Sequence, residues 1–132
     1  MTSGMRPCPS PATTPCFAPA IQSLMWKWTV YCFVFCGYDP WQGWLASKPW
    51  LVHFHIKDWI ANAPHGSLAG AGQGRIPEVI ADVVKMGYDG FATMEPHLLG
   101  GGPTGGVTGP ELFPKAVAAF KKILDNAGAK YQ

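Results

Sequence analysis

The sequence predicts an α/β fold built on parallel strands, and three observations carry that prediction. Residues 50–56 form an apolar run interrupted by His53 and His55, and Lys57 and Asp58 follow it. A strand buried on both faces reads this way, with polar groups delivered at its C-terminal end. Residues 90–95 repeat the pattern and deliver one carboxylate, Glu95. Between the two runs, Ile76, Val79, Ile80, Val83 and Val84 recur at the three-and-four spacing of an amphipathic helix. A strand, a crossover helix and a second strand make a right-handed βαβ unit, so the two polar strand ends are expected side by side.

Taken in order, residues 1–20 are rich in proline, serine, threonine and alanine, show no periodicity and are expected to be disordered. Residues 21–36 are aromatic and strand-like. Their longest apolar run, 28–36, is too short to span a bilayer, and the prolines upstream of it make a poor signal peptide. The four cysteines (Cys8, Cys16, Cys32 and Cys36) lack the spacing of a zinc finger, and neither a metal site nor a disulfide framework is expected of them. Asp39-Pro40 opens a turn or short helix, and Lys48-Pro49 punctuates the approach to a strand at 51–56. A polar, glycine-rich loop covers 63–75. The helix that starts near Ile76, with Pro77 in its first turn, stops at Gly87, and Tyr88-Asp89-Gly90 turns into the second strand. A second glycine-rich loop spans 99–106. The last helix covers 111–126, buries Leu112, Phe113, Ala116, Val117, Phe120, Ile123 and Leu124, and ends at Gly128.

With 132 residues the chain holds one domain at most. Charged residues make up 14% and hydrophobic ones 48%, which suits a packed scaffold better than a solvated chain. A formal net charge of +2 with scattered lysines gives no field that would attract nucleic acid. Neither nucleic acid nor a membrane is therefore an expected partner. The half that carries the polar strand ends has no cysteine, which suits a reducing cytoplasm.

A His and a Glu brought to adjacent strand ends point to a divalent metal site. The motifs around them sharpen this. His53-Phe54-His55-Ile56-Lys57-Asp58, Gly70-Ala71-Gly72-Gln73-Gly74-Arg75-Ile76-Pro77, Gly87-Tyr88-Asp89-Gly90 and Met94-Glu95-Pro96 occur in that order. Together they resemble the C-terminal end of sugar phosphate isomerase/epimerases of the xylose isomerase-like TIM-barrel superfamily. The resemblance covers residues 38–132 and implies the C-terminal βαβα portion of a (β/α)8 barrel. That portion is incomplete, since such a barrel takes about 250 residues. Residues 1–37 are expected to lie outside the resemblance.

The resemblance also implies a chemistry. A divalent ion (Mn²⁺, Mg²⁺, Co²⁺ or Zn²⁺) would be held by His55 and Glu95 together with a Glu and an Asp from earlier strands, and no organic cofactor is implied. Glu95 would also act as an acid/base that moves a proton next to the carbonyl of a sugar or sugar phosphate. Residues 1–37 contain no Asp, Glu or His. Half of the metal shell is thus missing from the chain, the segment before Gly37 reads as unrelated coding, and impaired activity is expected.

Lys57, Asp58, Arg75 and His97 are the candidates for substrate contact, Lys57 and Asp58 having mutual pairing as the plain alternative. His65 is a weaker candidate in the first loop. His53 is assigned to the face of the strand opposite His55, in a packing role. Glu95 is the firmest site residue, because an ionised carboxylate ending an apolar strand is costly unless something binds it. The loop 100–106 offers backbone N–H groups to a phosphate or is simply mobile. Two other readings stand beside the isomerase. One is a non-catalytic barrel fragment that binds a partner, or itself, through an exposed barrel edge. The other is an apurinic endonuclease of the same superfamily, which would want further metal ligands and a basic surface.

Overall fold

An apolar strand satisfies its backbone N–H and C=O groups only if a neighbour pairs with each edge, and this requirement organises the sheet. The computed structural model describes residues 26–28, 33–34, 37–100 and 106–132. In chain order it contains β1 (Trp26–Trp28), α1 (Pro40–Ser47), a 3-10 turn (Lys48–Trp50), β2 (Leu51–Ile56), α2 (Ile76–Lys85), β3 (Ala92–Met94) and α3 (Phe113–Ala127). The architecture is mixed α/β. Among the described residues the sheet has three strands in the order β1-β2-β3, and both pairings are parallel.

The parallel β2–β3 pair follows the expected βαβ order, with α2 as the crossover. The strand β1 does not follow from the expectation that order begins at residue 38. Trp26 pairs with Leu51, Lys27 with His53 and Trp28 with Phe54, so the aromatic segment supplies the second neighbour that β2 needs. Further along the same stretch, Phe33 and Val34 are helical rather than extended. The expected disorder of residues 1–20, the four cysteines and most of the glycine-rich loop 100–106 lie outside the described residues.

Local signals set the helix ends. Asp39 caps α1 by accepting the Trp41 N–H at 2.9 Å, with Pro40 at the first helical position. Pro77 sits in the first turn of α2 and Pro114 in that of α3. Gly87 and Gly128 follow α2 and α3 with positive φ, which a glycine adopts at no steric cost.

One face of the sheet is covered. Phe54 and Ile56 of β2 pack against Trp44 of α1, Ile76, Val79, Ile80 and Val83 of α2, and Phe120 and Ile123 of α3. Ala116 of the predicted α3 stripe is buried as well, whereas Phe113 is exposed at the helix start. The buried indole of Trp44 needs a partner for its N–H, and Nε1 donates to Asp82 Oδ2 at 2.7 Å. Lys48 Nζ donates to the same oxygen at 3.1 Å. The Trp44 hydrogen bond leads in holding the Asp82 carboxyl below its ordinary range against the opposing effect of burial, and Lys48 and Lys85 add to it.

The other face of β2 carries His53 and His55, whose rings meet edge to face with centroids 5.1 Å apart. This corrects the placement of His53 on the opposite face. Side chains alternate with a period of two residues along a strand, so positions two apart share a face.

Phe54 joins the sheet to all three helices, and truncating it leaves a cavity that this small core cannot refill. Phe54→Ala is expected to lower unfolding free energy by about 3–5 kcal/mol in urea titration, with the denaturant slope unchanged.

Candidate active site at the strand ends

The register of β2 and β3 builds the site. His55 pairs with Thr93 across the strands, and Ile56 with Met94. The Glu95 N–H donates to the Ile56 carbonyl at 3.0 Å, extending the pairing one step past β3. Glu95 therefore emerges on the same face as His55 and Thr93, and its Oε2 lies 2.9 Å from His55 Nδ1. An ionised carboxylate only accepts, so the imidazole proton in this contact sits on Nδ1. One rung earlier, His53 Nε2 lies 2.8 Å from Thr93 Oγ1. The two rungs make a polar ladder on the face of β2 opposite Phe54 and Ile56.

Opposing effects act on Glu95. Burial alone would raise its carboxyl pKa, but the hydrogen bond from His55 and the charges of His55, His97 and Lys57 outweigh it and hold the group below its ordinary range. The reverse holds for His97. Burial, aided by the Lys57 charge and opposed by Glu95, pushes its pKa down. His97 has φ 48° and a buried Nδ1 without a hydrogen-bond partner. Lys57 is 4% exposed, and its ammonium lies 6.0 Å from the centre of the Trp59 ring. The structure thus brings His55, Lys57, Glu95 and His97 within electrostatic reach of one another.

Asp58 does something other than the substrate contact expected of it. It is 1% exposed, and its two carboxyl oxygens accept four backbone N–H groups. Oδ1 takes those of Trp59 and Gly74, both at 2.9 Å, and Oδ2 takes those of Gly70 at 2.8 Å and Gly72 at 3.0 Å. No lone pair is left for a ligand. Instead the carboxyl group folds the glycine-rich loop around itself, and a Cβ on Gly72 would collide with Asp58 Oδ1. The same loop reaches the other strand end, where the Gly66 N–H donates to the His97 carbonyl at 2.8 Å.

Arg75 is also placed away from the expected role. Its guanidinium engages Glu78 Oε1 at 3.3 Å, Asp39 Oδ1 at 3.7 Å and the Trp41 ring at 5.4 Å, at the start of α2. His65 stays within its loop, with Nδ1 2.8 Å from the Gly66 carbonyl oxygen. Thr93 and Ser67 were not anticipated. Thr93 follows from register once β2 and β3 are paired, whereas the buried, unpartnered Ser67 Oγ carries no signal in the sequence.

His55 and Glu95 are an imidazole and a carboxylate, donor types that a divalent ion accepts, but two donors do not make the four that such ions take. Among the described residues no group of three or more His, Cys, Asp or Glu side chains is placed to hold a metal ion. The described residues therefore do not fit a closed metal shell. What the arrangement does offer is a partly exposed carboxylate held below its ordinary pKa and oriented by an imidazole. Two cavities, of about 140 and 210 Å³, lie elsewhere, around Val34, Trp59 and Ala61 and around Tyr38, Pro40 and Gln73. No family model, curated protein or solved structure matches the chain. No helix among the described residues is long and apolar enough to cross a membrane.

Two outcomes follow. Asp58→Asn replaces an accepting oxygen with an amide that faces N–H donors, and it should cost on the order of 3 kcal/mol in urea unfolding and expose the 59–74 loop to limited proteolysis. Glu95, with its depressed folded-state pKa, contributes stability that is present above its unfolded pKa and is lost as pH falls through the folded one. At 41% exposure that contribution is screened to under about 1 kcal/mol. Wild type and Glu95→Gln should therefore differ in unfolding free energy at neutral pH and converge in acid.

Proposed function

We propose that residues 38–132 correspond to the C-terminal βαβα portion of a xylose isomerase-like (β/α)8 barrel. In this reading His55 and Glu95 are the part of a sugar or sugar phosphate isomerase/epimerase site that the chain carries. The supporting observation is the 2.9 Å contact between His55 and Glu95 at the C-terminal ends of adjacent parallel strands, the end at which such barrels place their chemistry.

The proposed reaction is intramolecular proton transfer on a carbohydrate. The Glu95 carboxylate accepts a proton from the carbon next to a carbonyl and returns it to the neighbouring carbon; inversion at the same carbon would need a second acid/base on the opposite face to deliver the proton. His55 orients the carboxylate through its Nδ1–H. In the enzymes that the sequence resembles, a divalent ion polarises the carbonyl. The two donors of this chain would bind such an ion weakly, so activity is impaired relative to a complete site.

The test is hydrogen–deuterium exchange at the carbon next to the carbonyl, followed by NMR in D2O over a panel of ketoses and ketose phosphates. At least one sugar is expected to exchange above the buffer rate by about a hundredfold, the lower end of acid/base catalysis. Glu95→Gln should abolish the excess and His55→Ala should reduce it. Wild-type exchange equal to that of Glu95→Gln for every sugar would remove the isomerase reading.

A further inference from the structure

We infer that His53 is a positioning residue: by holding the Thr93 hydroxyl, it keeps His55 on Glu95. The inference deepens the proposed function and rests on that reading for what Glu95 does. Thr93 stands directly opposite His55 in the register of β2 and β3. Neighbouring strands lie only about 4.8 Å apart, so the Thr93 hydroxyl is within the sweep of the His55 imidazole. The hydrogen bonds run otherwise. His55 Nδ1 reaches Glu95 Oε2 at 2.9 Å, two residues further along the chain, and Thr93 Oγ1 lies 2.8 Å from His53 Nε2. Both imidazoles thus lean by the same step toward the C-terminal end of the strands. Their rings meet edge to face, with centroids 5.1 Å apart.

The contact between His55 and Glu95 needs such support. The Glu95 side chain is 41% exposed and that of His55 17%, so water competes for the contact, and a pair of this kind is weakly held by itself. An imidazole can also present either ring nitrogen and carry its proton on either. Neutral His55 with the proton on Nδ1 fits the Glu95 carboxylate, which only accepts. A hydroxyl both donates and accepts, so it takes either nitrogen in either tautomer. A Thr93 hydroxyl without a partner would therefore rival Glu95 and blur the tautomer of His55. His53 removes the rival, because its Nε2 engages Thr93 Oγ1 while its ring packs on that of His55.

Imidazole 15N NMR spectra of the whole chain, recorded about two units above the ordinary histidine pKa, report which nitrogen of His55 carries the proton. Wild type should show Nδ1–H alone. His53→Phe keeps a ring but frees Thr93, and His53→Ala frees it without a ring. Each should give His55 a mixture of tautomers with unchanged circular dichroism. Adding Thr93→Val deletes the rival hydroxyl and should restore the single Nδ1–H form in both backgrounds. In the hydrogen–deuterium exchange assay, His53→Phe should lower kcat about tenfold at nearly constant KM, a loss of orientation rather than of binding. The double variant His53→Phe/Thr93→Val should recover that loss. Mixed tautomers already in wild type would overturn the inference. So would a single Nδ1–H form in both His53 variants, or double variants that stay mixed. If no sugar exchanges, the proposed reaction falls, and the tautomer spectra still decide whether His53 places His55.

Discussion

The alternation of side chains along β2 is the constraint on which the rest of the structure depends. Phe54 and Ile56 point to the helices and form the floor of the core, while His53 and His55 point to the other face. One strand thus supplies both the largest part of the sheet's apolar anchorage and the first half of the polar ladder. A register slip of one residue would put imidazoles against Val79 and Val83 and leave Phe54 in water. Burial of Phe54 and Ile56 therefore also determines where His55 stands.

The second organising contact is the Asp58 carboxyl group. A buried acid is costly unless its oxygens are satisfied, and here four backbone amides satisfy them. The exchange works in both directions. Besides the buried Trp59 and the core-packed Ala69, these amides hold the loop 59–74, and three of them come from glycines that approach the carboxyl closely. Through Gly66 the same loop also contacts the backbone at His97, so the two strand ends share one support.

Glu95 shows how narrow the electrostatic balance at the strand ends is. Partial burial pulls its pKa one way, and an imidazole hydrogen bond with nearby positive charge pulls it the other way and prevails. His97, with a buried Nδ1 that has no hydrogen-bond partner, is pushed down by burial and by the Lys57 charge.

Much of this was legible in the residues themselves. The apolar runs ending in His55 and Glu95, the helix spacing at Ile76–Val84 and the stops at Gly87 and Gly128 are local patterns, and local patterns depend on propensity and period alone. Whether His55 and Glu95 touch was readable in outline, because a βαβ crossover brings successive strand ends together. The role of Asp58 was not, because its acceptors' partners at Gly70, Gly72 and Gly74 are 12, 14 and 16 residues away and meet it only when the loop turns back. Nor was the place of Arg75, which depends on Asp39 and Trp41 arriving from α1, or that of Trp26–Trp28, whose strand exists only because β2 offers an edge. The sequence by itself determined which elements form and which residues end them. The tertiary structure decided which polar groups remain free for chemistry, because a hydrogen bond between distant residues is settled only when the chain has closed around it.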